Sequence, residues 1–211
     1  MNGTDTEADT GAATALRSRL RVVGVWLAGV VVLGLLAGWL AGRGSGSERV
    51  TVDDPVGRLV AIAPDQRVPA AALSGPLLGG GTFDPVAYAG RIQVVSAWAS
   101  WCEPCKAELP VLARMAGASY AAPVQFIGLD VEEGSIADGQ QMAARYGLTY
   151  PSIFDQDKVA YAAIAPPLMS ASGVPGTVVV DAQGRLAATI IGPVDENELT
   201  KFLGLLAAEK P

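Results

Sequence analysis

Histidine is missing from this chain altogether. That absence removes Ser-His-Asp triads, Cys-His proteases and every zinc or haem site ligated by imidazole. Cysteine is nearly missing too: the two present, Cys102 and Cys105, stand three positions apart. No disulfide framework can hold the fold together, and a four-cysteine metal site is impossible. Haem attachment through this pair also fails, because Lys106 occupies the position where histidine would be required. Charge is scarce, at 17% of residues, and its balance is acidic, with a formal net charge of -6. Outside the N-terminus there is no basic run, which argues against nucleic-acid binding, since that needs concentrated positive charge to replace counterions around phosphates.

What is present begins with hydrophobic residues, half of the 211. That length suits one domain with a full core once a terminal segment is set aside. Much of the apolar excess sits in an uncharged run from Val22 to Gly42, about 31 Å long as a helix and matched to a hydrocarbon core of roughly 30 Å. Trp26 and Trp39 lie towards its ends, and Arg17, Arg19 and Arg21 precede it, favouring a cytoplasmic N-terminus. Arg43 and Arg49, which follow, weaken that asymmetry. A cleaved signal peptide is the alternative, but the run exceeds a typical h-region and its best small-residue pair, Gly42 and Gly44, encloses Arg43. No cysteine follows Leu40-Ala41-Gly42 to carry a lipid. The expectation is therefore a short cytoplasmic tail over 1–21, a retained membrane anchor over 22–42, a linker and irregular lead-in over 43–74, and a globular domain over 75–211.

Within that domain the apolar pattern alternates strand and helix. Ile92 to Trp98 reads as a strand buried on both faces, followed after Cys102 by a helix reaching about Ala116, with Pro104 in its first turn and Pro110 inside it as an expected kink. Val124 to Val131 predicts a second buried strand, and Ser135 with Asp138 a capping-box start for a helix ended by Gly147. Tyr150 to Phe154 suggests a short strand and Lys158 to Ile164 a short helix. Thr177 to Val180 and Arg185 to Ile191 suggest a hairpin, and Glu196 to Ala208 a final amphipathic helix capped by Asp195. Glu48 to Leu73, broken by Pro55, Pro64 and Pro69, shows no period. The class is α/β, a central sheet flanked by helices.

Two thiols separated by two residues at a strand-to-helix junction can close into a small disulfide and reopen, a reversible two-electron switch. At the helix N-terminus the free N–H groups and macrodipole favour thiolate, so Cys102 is the expected attacking sulfur, and Cys105, one turn in, the resolving one. A zinc half-site is starved of ligands in this chain.

The segment Trp98-Ala99-Ser100-Trp101-Cys102-Glu103-Pro104-Cys105-Lys106-Ala107-Glu108-Leu109-Pro110 resembles the active-site segment of exported thioredoxin-like proteins of the TlpA and ResA type. Gly173-Val174-Pro175-Gly176-Thr177 and the following Val178 to Gly184 resemble that family's cis-proline loop and hairpin, and 132–150 resembles its inserted helix. The resemblance runs from about Gly75 to the C-terminus. It implies a thioredoxin-like fold, a cis bond before Pro175 packed against the sulfurs, and a Val174 backbone that pairs with substrate as an added strand. It also gives Glu108 a part in proton transfer; the alternative is an ordinary solvated glutamate. Cytosolic thioredoxins carry a buried aspartate where this chain has Ser96, a hydroxyl that cannot take a proton in the same way, which shifts attention to Glu108. Trp101 is expected beside the disulfide, shaping the docking surface or serving only as core.

The implied activity is thiol-disulfide exchange on exported proteins, with no cofactor beyond the Cys102–Cys105 disulfide. In ResA-like members the implied client is apocytochrome c, reduced before haem attachment, with electrons from a membrane thiol carrier of the CcdA/DsbD type. Disulfide formation by the same chemistry stays open, because Glu103-Pro104 does not fix a potential. A non-enzymatic binding module is a further alternative; a peroxidase lacks a recognisable peroxidatic motif. The expected location is the outer face of a bacterial cytoplasmic membrane, where clients with disulfides occur.

Overall fold

A computed structural model describes residues 58–164 and 173–209. The expected tail and anchor, 1–21 and 22–42, lie outside the described residues. Among the described residues no helix is long and apolar enough to cross a membrane.

Among the described residues, six strands form one mixed sheet. In chain order they are β1 (Arg58–Ala61), β2 (Ile92–Trp98), β3 (Val124–Val131), β4 (Ser152–Asp155), β5 (Gly176–Val180) and β6 (Leu186–Ile191), arranged across the sheet as β1-β6-β5-β2-β3-β4. β2, β3 and β4 run parallel, whereas β5, β6 and β1 are added antiparallel. The helices are α1 (Glu103–Ala116), α2 (Ile136–Tyr146), α3 (Val159–Ile164) and α4 (Glu196–Ala208). This is a thioredoxin-like α/β fold, with α2 inserted between two parallel strands.

The central strands are apolar on both faces because both faces are covered. On one, Leu109, Leu112 and Met115 of α1, Met142 of α2 and Leu199, Phe202 and Leu203 of α4 pack against Val94, Trp98 and Phe126. On the other, Tyr161 and Ile164 of α3 join Leu73 and Phe83 over Val95, Ile127 and Val178. The cysteines belong to the first layer.

Most elements lie where the apolar pattern puts them, but β1 does not. Arg58–Ala61 falls inside the stretch expected to be an irregular lead-in, yet it pairs antiparallel with β6 from Arg58 opposite Ile191 to Ala61 opposite Ala188. Four residues at a sheet edge carry too little periodicity to be read alone; long-range pairing makes the strand. The sheet therefore begins before Gly75. Arg67, its side chain 3% exposed, ties this lead-in to the β5–β6 turn through Asp181 at 3.2 Å and to the C-terminal end through Glu209. The start of α2 also differs from expectation. Ser135 is its N-cap residue, but its hydroxyl donates to Asp138 Oδ2 at 2.8 Å instead of capping the backbone.

Candidate active site

The parallel strands β2, β3 and β4 all end at one edge of the sheet, where open α/β folds place their ligands. From the end of β2, Ala99-Ser100-Trp101 leads directly into α1, whose N-cap residue is Cys102. The Cys102 N–H donates to Ala99 O at 3.1 Å, and Cys102 Sγ accepts the Cys105 N–H at 3.2 Å. The two sulfurs are joined in a disulfide with Cα atoms 5.3 Å apart. Both residues are buried, Cys105 completely. The sulfur of Cys102 thus sits where a backbone donor and the positive end of the helix dipole stabilise negative charge.

Glu108 lies one turn beyond Cys105, on the same helix face. It is no solvated helix residue: it is 2% exposed. Val194 N–H donates to its Oε1 at 2.9 Å and Ser96 Oγ to its Oε2 at 3.4 Å. Burial pushes its carboxyl up to about 7, and these two donors hold it from going further. Ser96 therefore touches the residue towards which its presence in the sequence shifted attention.

The peptide bond between Val174 and Pro175 is cis. Gly176 pairs with Ala97, which sets the bond beside the end of β2 from which the cysteine loop leaves. The loop after β6 joins this element to the acid. Its Gly192 N–H donates to Pro175 O at 3.0 Å, while Val194 N–H reaches Glu108. On the other side, Tyr161 of α3 donates to Gly173 O at 2.9 Å. Val174 is half-buried and packs against the layer that holds both cysteines. Trp101 is 55% exposed, so it is a surface residue and not a core one; its indole Nε1 donates to Glu132 O at 3.0 Å. All six residues singled out from the sequence thus collect at one edge of the sheet.

Two acids of this edge escape a reading of the sequence. Glu133, 3% exposed, accepts from the Ser100 N–H and, at 2.7 Å, from Ser100 Oγ. Asp130 is fully buried at the end of β3, opposite Trp98. For Asp130 the only available signal was an acidic residue one position before the end of a mostly apolar strand.

Residues 63–206 match the Redoxin family. The chain belongs to the redoxin family. Among its redoxin relatives, the thiol-disulfide oxidoreductase ResA of Bacillus subtilis is 26% identical over 117 residues, covering 56% of this chain and 62% of the relative. The thiol:disulfide interchange protein HelX of Rhodobacter capsulatus is 30% identical over 125 residues, again 56% of this chain and 62% of the relative. The chain thus spans a little over three fifths of these relatives' length. They place it with the ResA/TlpA-like redoxins that its motifs resemble. Among solved structures, a secreted thiol-disulfide isomerase from Corynebacterium glutamicum superposes with a TM-score of 0.64 at 23% identity, covering 72% of this chain and 92% of that one, a likeness of fold. A DsbF homologue from Corynebacterium diphtheriae gives 0.60 at 29% identity, covering 68% and 89%.

Proposed function

We propose that this redoxin is an enzyme of thiol-disulfide exchange that reduces disulfides of exported proteins. The observation that carries the reading is the disulfide at the start of α1, its first sulfur facing a backbone donor and its second one turn from a buried carboxyl.

In the reduced enzyme the Cys102 thiolate attacks one sulfur of a client disulfide. A mixed disulfide forms and the client's other sulfur leaves as thiolate. Glu108, poised near neutrality, takes the proton of Cys105. Cys105 sulfur then attacks Cys102 Sγ, closing the Cys102–Cys105 bond and expelling the second client thiolate. The client gains two electrons and the enzyme loses them. The client chain pairs along the backbone of Val174 beside Pro175, as an added strand, and packs on the exposed face of Trp101.

The relatives' names support the chemistry more directly than the client. Apocytochrome c is the client we infer, with a membrane carrier of the CcdA/DsbD type returning electrons to the disulfide. The uncharged run 22–42 anchors the enzyme with this domain on the outer side of a bacterial cytoplasmic membrane, where such disulfides form.

The reduction potential of the full-length chain, equilibrated against dithiothreitol or glutathione with Cys102→Ser as background, tests the direction. A value near or below roughly -270 mV is expected for a reductant, and one near about -120 mV would make the protein a disulfide donor and sink this reading.

A further inference from the structure

Among the described residues, Asp130 is the buried acid that the exchange chemistry leaves unused and that has no exposed surface at all. Its side chain leaves β3 on the face shared with Phe126, directly across from Trp98 and Phe154 on the neighbouring strands. Neither carboxylate oxygen has a hydrogen-bond donor from the described residues. Helix α2 approaches it without a side chain. A Cβ on Gly139 would stand 1.9 Å from Asp130 Oδ2 and 2.7 Å from its Cγ. The acid thus fills the space against which α2 is seated.

Its neighbour is another acid. Glu133 follows three residues later and already accepts both the N–H and the hydroxyl of Ser100, so its charge is satisfied towards the cysteine loop. Two carboxylates cannot adjoin in a buried site unless one of them keeps its proton, and a protonated carboxyl becomes the donor that the pair lacks. Asp130 is the one that keeps it. Burial first, and then the approach of Glu133, push it up to about 9. The charged groups bearing on it are Glu133 and, from α2, Asp138, and both are acidic. The strand residues beside it, Trp98 and Phe154, carry no charge.

We propose that Asp130 is a positioning residue for the redox site, its carboxyl bridging Gly139 of α2 to Glu133, which in turn anchors Ser100 and so sets where Cys102 caps α1. The inference rests on Cys102 being the attacking thiol. Ser100 lies two residues before Cys102, and the intervening Trp101 is held by the carbonyl of Glu132, the residue next to Glu133. The segment Asp130 to Glu133 therefore grips the whole approach to the sulfur. Loss of the bridge loosens that approach, lets the Cys105 N–H contact to Cys102 Sγ lapse, and disfavours the thiolate.

The test follows the thiol itself. The reduced full-length chain in detergent is alkylated with iodoacetamide, and the Cys102 adduct is quantified by peptide mass spectrometry from about pH 6 to about pH 10.5. Asp130→Ala is expected to react roughly threefold more slowly at neutral pH, the response to about half a unit in the thiol pKa. Asp130→Asn, whose amide donates to Glu133 at every pH, is expected to match the wild-type rate at neutral pH. Its rate climbs with the thiolate fraction to a plateau, whereas the wild type departs from that curve above about pH 9 as the bridge ionises. An unchanged rate in a folded Asp130→Ala protein overturns the proposal. Should that variant fail to fold, superimposable wild-type and Asp130→Asn curves overturn it equally. No client is needed, so a wild type that alkylates as expected yet exchanges no protein disulfides would sink the proposed function and leave the bridge standing.

Discussion

Two acids lie buried in the same layer of this fold, and they are solvated by the protein in opposite ways. Glu108 is 2% exposed and has a donor for each oxygen, the Val194 N–H and the Ser96 hydroxyl. Asp130 is fully buried and has none among the described residues, with Glu133 and Asp138 as further negative neighbours. Burial raises both, but Glu108 only to about 7 and Asp130 to about 9. With burial common to both, it is the donors on Glu108 and the acidic neighbours of Asp130 that separate a carboxyl that trades its proton near neutrality from one that holds it. The first is suited to chemistry and the second to structure.

The largest expected effect on this comparison comes from removing the titration of Glu108. Its folded pKa lies above the unfolded 4.5, so the folded chain binds the extra proton between about 4.5 and about 7. Stability from this group is full below that window and is lost as pH rises through it, by about 3 kcal/mol in all at about 1.4 kcal/mol per unit. Glu108→Gln keeps an oxygen for Val194 N–H and cannot ionise. The oxidised variant should therefore show no such fall in urea unfolding free energy, and gain on the wild type as pH rises. Parallel pH profiles for the two proteins would show that Glu108 does not titrate in the window.

A steric change should cost somewhat less and strike the other acid. Gly139→Ala places a methyl against the Asp130 carboxyl, with Leu78 Cδ2 close on the same Cβ at 3.1 Å, and the fully buried acid has no solvent to swing into. A loss of about 1–3 kcal/mol in unfolding free energy is expected, the usual cost of overpacking a filled core. If the variant unfolds at the same urea concentration as the wild type, the contact between α2 and Asp130 is looser than the distances imply.

The contrast between the acids also marks how far the sequence could be read. Ile92–Trp98 and Val124–Val131 were legible to the residue, and Glu103–Ala116 and Glu196–Ala208 to within a residue or so, because apolar patterns and caps such as Asp195 are local signals. The cysteine pair was legible for the same reason, as was the proline loop through its likeness to a known motif. The burial of Glu108 was not, since the contact that settles it comes from Val194, 86 positions away. Asp130 gave less still. An acid at the end of a strand reads as the start of a loop, and only the close approach of Gly139 shows that it is enclosed. Strand β1 was hidden in the same way, defined by its partner β6 and not by its own four residues.

The smallest change proposed brings Glu108 one step nearer to the condition of Asp130. Ser96→Ala deletes the donor at 3.4 Å, a long bond, and leaves Val194 N–H in place. Losing a group that stabilises the charged form moves the Glu108 pKa upward from about 7. The sign of the stability effect follows. Below about pH 4.5 the carboxyl is protonated in both proteins and the difference should be slight. As pH rises through 7 the variant should fall behind the wild type, reaching a deficit of up to about 1 kcal/mol once the wild-type carboxyl is charged, the usual net worth of such a bond. Urea unfolding at about pH 4.5 and about pH 8.5 measures both ends of that range. A deficit confined to the acid end would reverse the assignment: the protonated carboxyl would then be donating to Ser96, and the hydroxyl would be holding the proton on Glu108 instead of helping it leave.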